Sequence, residues 1–165
     1  KNLSKADYLA LAYLMTDEKK YADKLKEILL DVIKEDTWGS EEMLARIPVW
    51  RADLGLAHKA YLSAIAYDAV YNDLSSSERK EIAEGLKRLA LDPCLGDWVL
   101  EPARIHSLNS MGHNWWTSCA CMGGILALSL QNELPEQSKE QRQYMRLFPN
   151  GLTCRRCLAA EAEKL

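Results

Sequence analysis

Apolar residues recur at intervals of three and four along most of the first 130 residues, and this helical period constrains the fold more than any other feature. The stripe formed by Leu25, Ile28, Leu29 and Val32 is the clearest case. No segment shows the alternation of apolar and polar residues that is typical of a half-buried strand. The sequence therefore predicts an all-α protein.

Local signals divide the helical pattern into five long helices joined by alternating short and long connections. Ser4 and Thr16 are expected N-caps of the first two helices, and Ser75 with Glu78 has the form of a capping box. The fourth helix is expected to stop before Pro93, and residues 93–111 to be irregular. The predicted helices cover about residues 4–15, 17–33, 53–73, 76–92 and 114–130.

Repeated antiparallel helical hairpins predict part of an α/α toroid or solenoid, with a simple helix bundle as the alternative. Residues 1–131 are assigned to this partial toroid domain. Residues 132–165 are more polar and form a separate helical tail in this interpretation.

Composition and charge exclude some classes of protein. The chain is 48% hydrophobic with a net charge of -3 and a pI near 5.7, which argues against a general nucleic-acid binder. The longest apolar run, 119–130, is interrupted by Gly123, Gly124 and Ser129, so no membrane span is predicted. The chain starts at Lys1 rather than Met, so we expect a processed or cut chain.

The five cysteines do not predict a metal site. An odd number is poor support for a disulfide framework, and Cys154 and Cys157 form a single CxxC where a typical zinc site has two such pairs. A zinc or redox role for this pair is the less favoured alternative. Cys119 and Cys121 are expected to be small buried residues that permit close helix packing.

Two segments resemble a known family. Residues 66–75, AYDAVYNDLS, are followed by Glu78 and Arg79, and residues 109–116 read NSMGHNWW. In this order and spacing they resemble the heparinase II/III-like polysaccharide lyases. The resemblance covers about residues 8–130 and does not extend to residues 131–165.

This resemblance implies β-elimination on a uronic-acid polysaccharide such as heparin, heparan sulfate or alginate. The reaction removes a carbon-bound proton beside a carboxylate, so the enzyme needs a donor for the carboxylate and a base for the proton. Asn114 matches the family's carboxylate-contacting Asn, and His113 matches its neighbouring His. Alternatively, Asn114 is only a helix N-cap and His113 a solvent-facing loop residue.

Trp115 and Trp116 are predicted substrate-binding residues, because flat indole faces pack well against sugar rings. Neighbouring residues on a helix point about 100° apart, so both are not expected to line one cleft. The alternative is that both residues pack into the wall of the domain.

Basic residues on two loops are further substrate-binding candidates. Arg104 and His106 precede the family motif, and Arg46, Trp50 and Arg51 lie on an earlier loop. In a toroid the two loops would meet at a common cleft and give the local positive potential that a polyanion requires. The alternative is that they are ordinary solvated loops.

The catalytic base is not identified in the sequence. The family's Tyr follows the Asn motif by one hairpin, and Tyr144 lies where the resemblance has ended, so it is not assigned. The predicted partner is an acidic polysaccharide or oligosaccharide, with no cofactor, and the resemblance implies a periplasmic or secreted location. A non-catalytic glycan-binding or structural domain is the alternative, and nothing marks Asp97 and Glu101 as the carboxylate pair of a glycoside hydrolase.

Overall fold

A computed structural model describes residues 3–100, 114–136 and 139 of the chain. These residues are mostly helical and contain no β-strand, which confirms the all-α prediction. No helix among them is both long and apolar enough to cross a membrane. The α-helices are α1 (Ala6–Thr16), α2 (Lys19–Val32), α3 (Glu41–Leu44), α4 (Leu54–Val70), α5 (Ser76–Leu86), α6 (Asp92–Cys94) and α7 (Asn114–Ser129).

α1 and α2 form the first hairpin. Asp17, with φ of 55°, adopts the left-handed conformation that reverses the chain between them. Both predicted caps are wrong: Ser4 lies in a 3₁₀ turn before α1, and α2 begins after Glu18. Thr16 instead ends α1, and its hydroxyl donates to the Ala12 carbonyl at 2.7 Å.

The buried faces of the first two helices differ in how well the sequence predicts them. The apolar stripe of α2, including Leu25 and Leu29, is buried as expected. In α1 the buried residues are Ala6 and Ala10. Leu9 and Tyr13 of α1 are partly buried against the core. Four other large apolar residues of this helix are 57–76% exposed, namely Tyr8, Leu11, Leu14 and Met15.

α4 is the centre of the fold and contacts α1, α2 and α7. It begins at Asp53, whose side chain accepts a hydrogen bond from the backbone N–H of Leu56 at 2.8 Å. Small residues let the neighbouring helices approach closely, as predicted, and all of them are buried: Ala57, Ala60, Ala64 and Ala66.

α5 begins at the predicted capping box, in which Ser75 and Glu78 exchange side-chain and backbone hydrogen bonds. The predicted stop before Pro93 is wrong, because helical structure continues to residue 100 through two π-helical segments, Lys87–Leu91 and Leu95–Leu100, on either side of α6. The Asp92 N–H donates to the Lys87 carbonyl five residues back. This wider turn accommodates a proline ring that would break a regular α-helix.

Contacts at the helix ends give the helix directions. Cys119 and Asp53 meet near the starts of α7 and α4, and Asn132 donates to the Tyr71 hydroxyl just beyond their ends. Tyr13 donates to Asp73 at the ends of α1 and α4. α1, α4 and α7 are therefore parallel to one another.

α2 and α5 are also parallel, and they run opposite to this first set. Lys26 pairs with Glu78 in the first turn of α5. Further along both helices, the Arg88 guanidinium donates to the Ile33 carbonyl at 2.8 Å. The described helices thus alternate in direction along the chain between two sets.

Candidate functional site

Four tryptophans meet where three distant segments of the chain converge. Trp50 lies on the loop before α4, Trp98 in the second π-helical segment, and Trp115 and Trp116 in the first turn of α7. The Trp50 ring centroid is 6.3 Å from that of Trp98 and 5.9 Å from that of Trp115, with edge-to-face geometry in both pairs. The Trp116 indole N–H donates to the Trp98 carbonyl at 2.9 Å. We call these four residues the tryptophan cluster.

A buried carboxylate fixes the loop that carries Trp50. Asp97 is fully buried, and its Oδ1 lies 2.9 Å from Nε and 2.8 Å from Nη2 of Arg51. Its Oδ2 accepts from the backbone N–H groups of Arg51 at 2.5 Å and Ala52 at 3.0 Å. Such a charged, multiply bonded contact holds a loop far more tightly than an exposed ion pair.

Neighbours of Asp97 complete this attachment. The Trp98 indole N–H donates to the Ala52 carbonyl at 2.8 Å. A Cβ added at Gly96 would lie 2.8 Å from Nη2 of Arg51, so only glycine leaves room for the guanidinium. Three consecutive residues therefore hold the loop of Arg51 and Ala52. Gly96 leaves room for the guanidinium, Asp97 accepts hydrogen bonds from the loop, and Trp98 donates one to it.

Arg46 covers part of the cluster. Its guanidinium carbon lies 4.6 Å from the Trp50 ring centroid, which is cation–π geometry. Its Nη2 also lies 3.0 Å from Oε1 of Glu42, one turn earlier in the chain. Arg46 thus links the Trp50 ring to Glu42 of α3.

The predicted site residues are divided between the described and undescribed parts of the chain. Asn114 is exposed and is the first residue of α7, while Trp115 and Trp116 are partly buried against the core. Arg51 lies beside Trp50 at the same cluster. His113, Arg104 and His106 lie outside the described residues.

Sequence reasoning missed the role of Asp97. It was expected on an irregular loop, whereas it lies in a π-helical segment and is fully buried. A signal was present, because the acid stands within the otherwise apolar stretch LGDWVL. A charge in such a stretch needs a partner, yet nothing local identifies Arg51, 46 positions earlier.

The two buried cysteines among the described residues are poor nucleophiles, and the described cysteines do not form a metal-binding group. Burial raises the pKa of Cys94 to about 12 and also raises the pKa of Cys119. Cys121 is exposed, so its predicted burial is wrong. No group of metal-ligating side chains occurs within the described residues, and Cys154 and Cys157 lie outside them.

Comparison with known proteins finds no matching family model, no matching curated protein and no matching solved structure. The heparinase II/III-like resemblance and the roles that it implies therefore stay predictions.

Proposed function

We propose that the chain is part of an α/α toroid from a polysaccharide lyase that cleaves uronic-acid polysaccharide by β-elimination. One observation carries this proposal: the loop of Trp50 and Arg51 lies against the family-like motif at the start of α7, with Trp50 and Trp115 only 5.9 Å apart. The sequence predicted a common cleft between the loop of Arg46, Trp50 and Arg51 and the loop of Arg104 and His106, which precedes this motif in the chain. An acidic polysaccharide would bind at this edge of the domain.

The helix directions support a toroid over a simple bundle. A toroid contains an inner and an outer set of helices, each parallel within itself and antiparallel to the other. The observed helix directions agree with this arrangement. One parallel set contains α1, α4 and α7, and the other contains α2 and α5. In an up-and-down bundle, by contrast, neighbouring helices are mostly antiparallel.

Asn114 is suited to hold the substrate carboxylate. It is exposed at the start of a 16-residue helix, the end at which the helix dipole favours an anion. Its amide N–H₂ can donate to a carboxylate without adding negative charge. The resemblance assigns a second donor to His113, and the base is a Tyr that this proposal leaves unassigned.

A direct assay tests the reaction. Incubation of the chain with heparin, alginate or hyaluronan should raise the ultraviolet absorbance, because β-elimination leaves an unsaturated uronate. Asn114→Ala should lower the rate by about 100-fold, the usual cost of removing one donor that stabilises a developing oxyanion. Thr117→Ala, an exposed change in the same helical turn, is the matched control.

Binding measurements test the predicted cleft. Arg51→Ala and Arg104→Ala should each weaken the affinity for an acidic oligosaccharide. Unchanged affinity in both variants would contradict the cleft. The lyase would also need a periplasmic or secreted location to meet such a polymer.

The second candidate is a non-catalytic glycan-binding domain. Trp50 and Trp115 favour it, because an aromatic cluster at a surface serves sugar binding without any base. Oligosaccharide binding with no rise in absorbance would support this candidate and exclude the lyase for this chain. Absence of both binding and absorbance change would exclude both.

A further inference from the structure

The two arginines at the tryptophan cluster differ in how their charges are compensated. The partner of Arg51 is Asp97, whose side chain is 0% exposed. The partner of Arg46 is Glu42, whose side chain is 76% exposed. The arginine side chains themselves are almost equally exposed, at 42% for Arg51 and 41% for Arg46.

The guanidinium of Arg51 is bound to a buried carboxylate. Its Nε and Nη2 both lie within 2.9 Å of the same carboxylate oxygen, and its backbone N–H donates to the other oxygen. A buried carboxylate cannot exchange this partner for water without a large desolvation cost. The charge of Arg51 is therefore neutralised locally, and Asp97 acts as a positioning residue for the loop.

Arg46 is much less constrained electrostatically. Its ion pair with Glu42 joins solvent-exposed groups four residues apart, and such pairs contribute little and exchange readily with other anions. The cation–π contact holds the guanidinium over the Trp50 ring, while the Arg46 side chain as a whole stays 41% exposed. A planar guanidinium so held can bind a carboxylate or sulfate through two parallel hydrogen bonds.

We infer that Arg46, stacked on Trp50, is the residue that presents positive charge to an anionic sugar at the tryptophan cluster, whereas Arg51 and Asp97 only hold the loop in place. The sugar ring would lie against the cluster, and its carboxylate or sulfate would displace Glu42 from Arg46. This division of roles rests on the proposed function. It makes Arg46 the residue that distinguishes acidic from neutral sugars.

Fluorescence quenching tests the charge assignment without any sugar. Arg46→Gln should reduce quenching of tryptophan fluorescence by iodide roughly two- to threefold, the effect of one unit charge about 6 Å away in water. Quenching by neutral acrylamide should not fall, because the variant removes a charge that attracts iodide without covering the ring. In a Trp50→Phe background the iodide effect of Arg46→Gln should disappear.

Arg51→Gln is the matched variant, because it removes the same charge from the same loop. It should change quenching by iodide and acrylamide in parallel, since it loosens the cluster rather than removing an accessible charge. An iodide-selective effect in Arg51→Gln, or none in Arg46→Gln, would overturn the inference.

Oligosaccharide binding distinguishes a failure of the role of Arg46 from a failure of the proposed function. Arg46→Gln should weaken binding of an alginate oligosaccharide about three- to tenfold, in line with one lost charge contact, and leave binding of its carboxyl-reduced neutral analogue unchanged. Equal weakening of both ligands would overturn the specificity role. If the native chain binds neither ligand but the iodide result holds, the proposed function fails while the charge assignment of Arg46 stands.

Discussion

At the scale of single residues, the tryptophan cluster depends on one carboxylate. Asp97 accepts three hydrogen bonds from Arg51 and Ala52 and forms an ion pair with Nη2 of Arg51, and these two residues directly follow Trp50 in the chain. Removing a buried acid leaves a guanidinium and two backbone N–H groups without their acceptor. The position of the loop therefore depends strongly on Asp97.

Asp97→Ala should lower the free energy of unfolding by about 3 kcal/mol, the usual cost of breaking a buried, hydrogen-bonded ion pair. Urea denaturation measures this change. Asp31→Ala is the control, since Asp31 is exposed and lies 3.9 Å from Lys34. Its expected cost is below about 0.5 kcal/mol. Equal costs for the two variants would contradict the structural role of Asp97.

Glu78 gives a pH-dependent prediction. A hydrogen bond from Lys26, together with bonds from Ser75, lowers the pKa of Glu78 from 4.5 to about 2. A lowered folded-state pKa stabilises the fold above the unfolded value and loses that effect as the pH falls toward the folded value. Lys26→Gln should therefore flatten the pH dependence of unfolding between about pH 4.5 and 2.

Urea denaturation at several pH values checks this expectation. Ser75→Ala should act in the same direction, because it removes the hydroxyl bond to the same carboxylate. A wild-type-like slope in Lys26→Gln would show that this ion pair does not act in solution.

At the scale of helices, close approach depends on small residues at specific crossings. A Cβ added at Gly85 of α5 would lie 2.5 Å from the Cβ of Ile33, just after α2. No side-chain rotation relieves such a contact, because both atoms are fixed to the backbone. The approach of α5 to the residue that follows α2 therefore requires a glycine at position 85.

Gly85→Ala should destabilise the protein despite alanine's higher helix propensity of about 1 kcal/mol. Overpacking of a helix contact usually costs about 1–3 kcal/mol, so the net change should be a lower thermal midpoint. Gly55→Ala in α4 is the matched control, since its added Cβ would lie 3.2 Å from Oδ1 of Asp53, a contact that a small shift of that side chain relieves. A smaller loss in Gly85→Ala than in Gly55→Ala would contradict the crossing geometry.

At the scale of the whole molecule, α1 carries an apolar face that the described residues do not cover. Leu11, Leu14 and Met15 are 57–76% exposed, next to an equally exposed Tyr8. Contiguous apolar surface of this kind favours association in water.

Replacing Leu11, Leu14 and Met15 together with glutamine should reduce self-association in light scattering. The free energy of unfolding should change by less than about 0.5 kcal/mol per substitution, since the removed side chains are exposed. Ala10→Leu on the buried face of the same helix should instead destabilise the fold by about 1–3 kcal/mol. A marked loss of stability in the triple variant would contradict the exposure of this face.

Sequence reasoning predicted the helices better than their orientation. The positions of α2, α4 and α7 follow from local periodicity, and the start of α5 follows from its capping box; both are properties of neighbouring residues. The buried face of α1 does not follow, because Tyr8, Leu11 and Ala10 make the helix apolar on several sides. The packing of α2 and α4 against α1 selects which side is covered.

The candidate site shows the same division. The sequence indicated Trp50, Arg51 and Trp115 as separate candidates, because their residue types suit sugar binding. It could not join Arg51 to Asp97, because a pair separated by 46 positions leaves no periodic signal. The π-helical turns beside Pro93 also could not be predicted, because the rules for helix ends describe regular α-helices.

The separation of its members along the chain also determines when the tryptophan cluster forms during folding. Helical hairpins such as α1–α2 form from local contacts, whereas the cluster requires the loop before α4 to meet segments that lie 46 to 66 positions later in the chain. Closing such loops costs entropy before any contact compensates for it, so non-local contacts form late. Refolding chains should therefore gain their helical circular dichroism first, and acquire the tryptophan cluster only when the last segments dock.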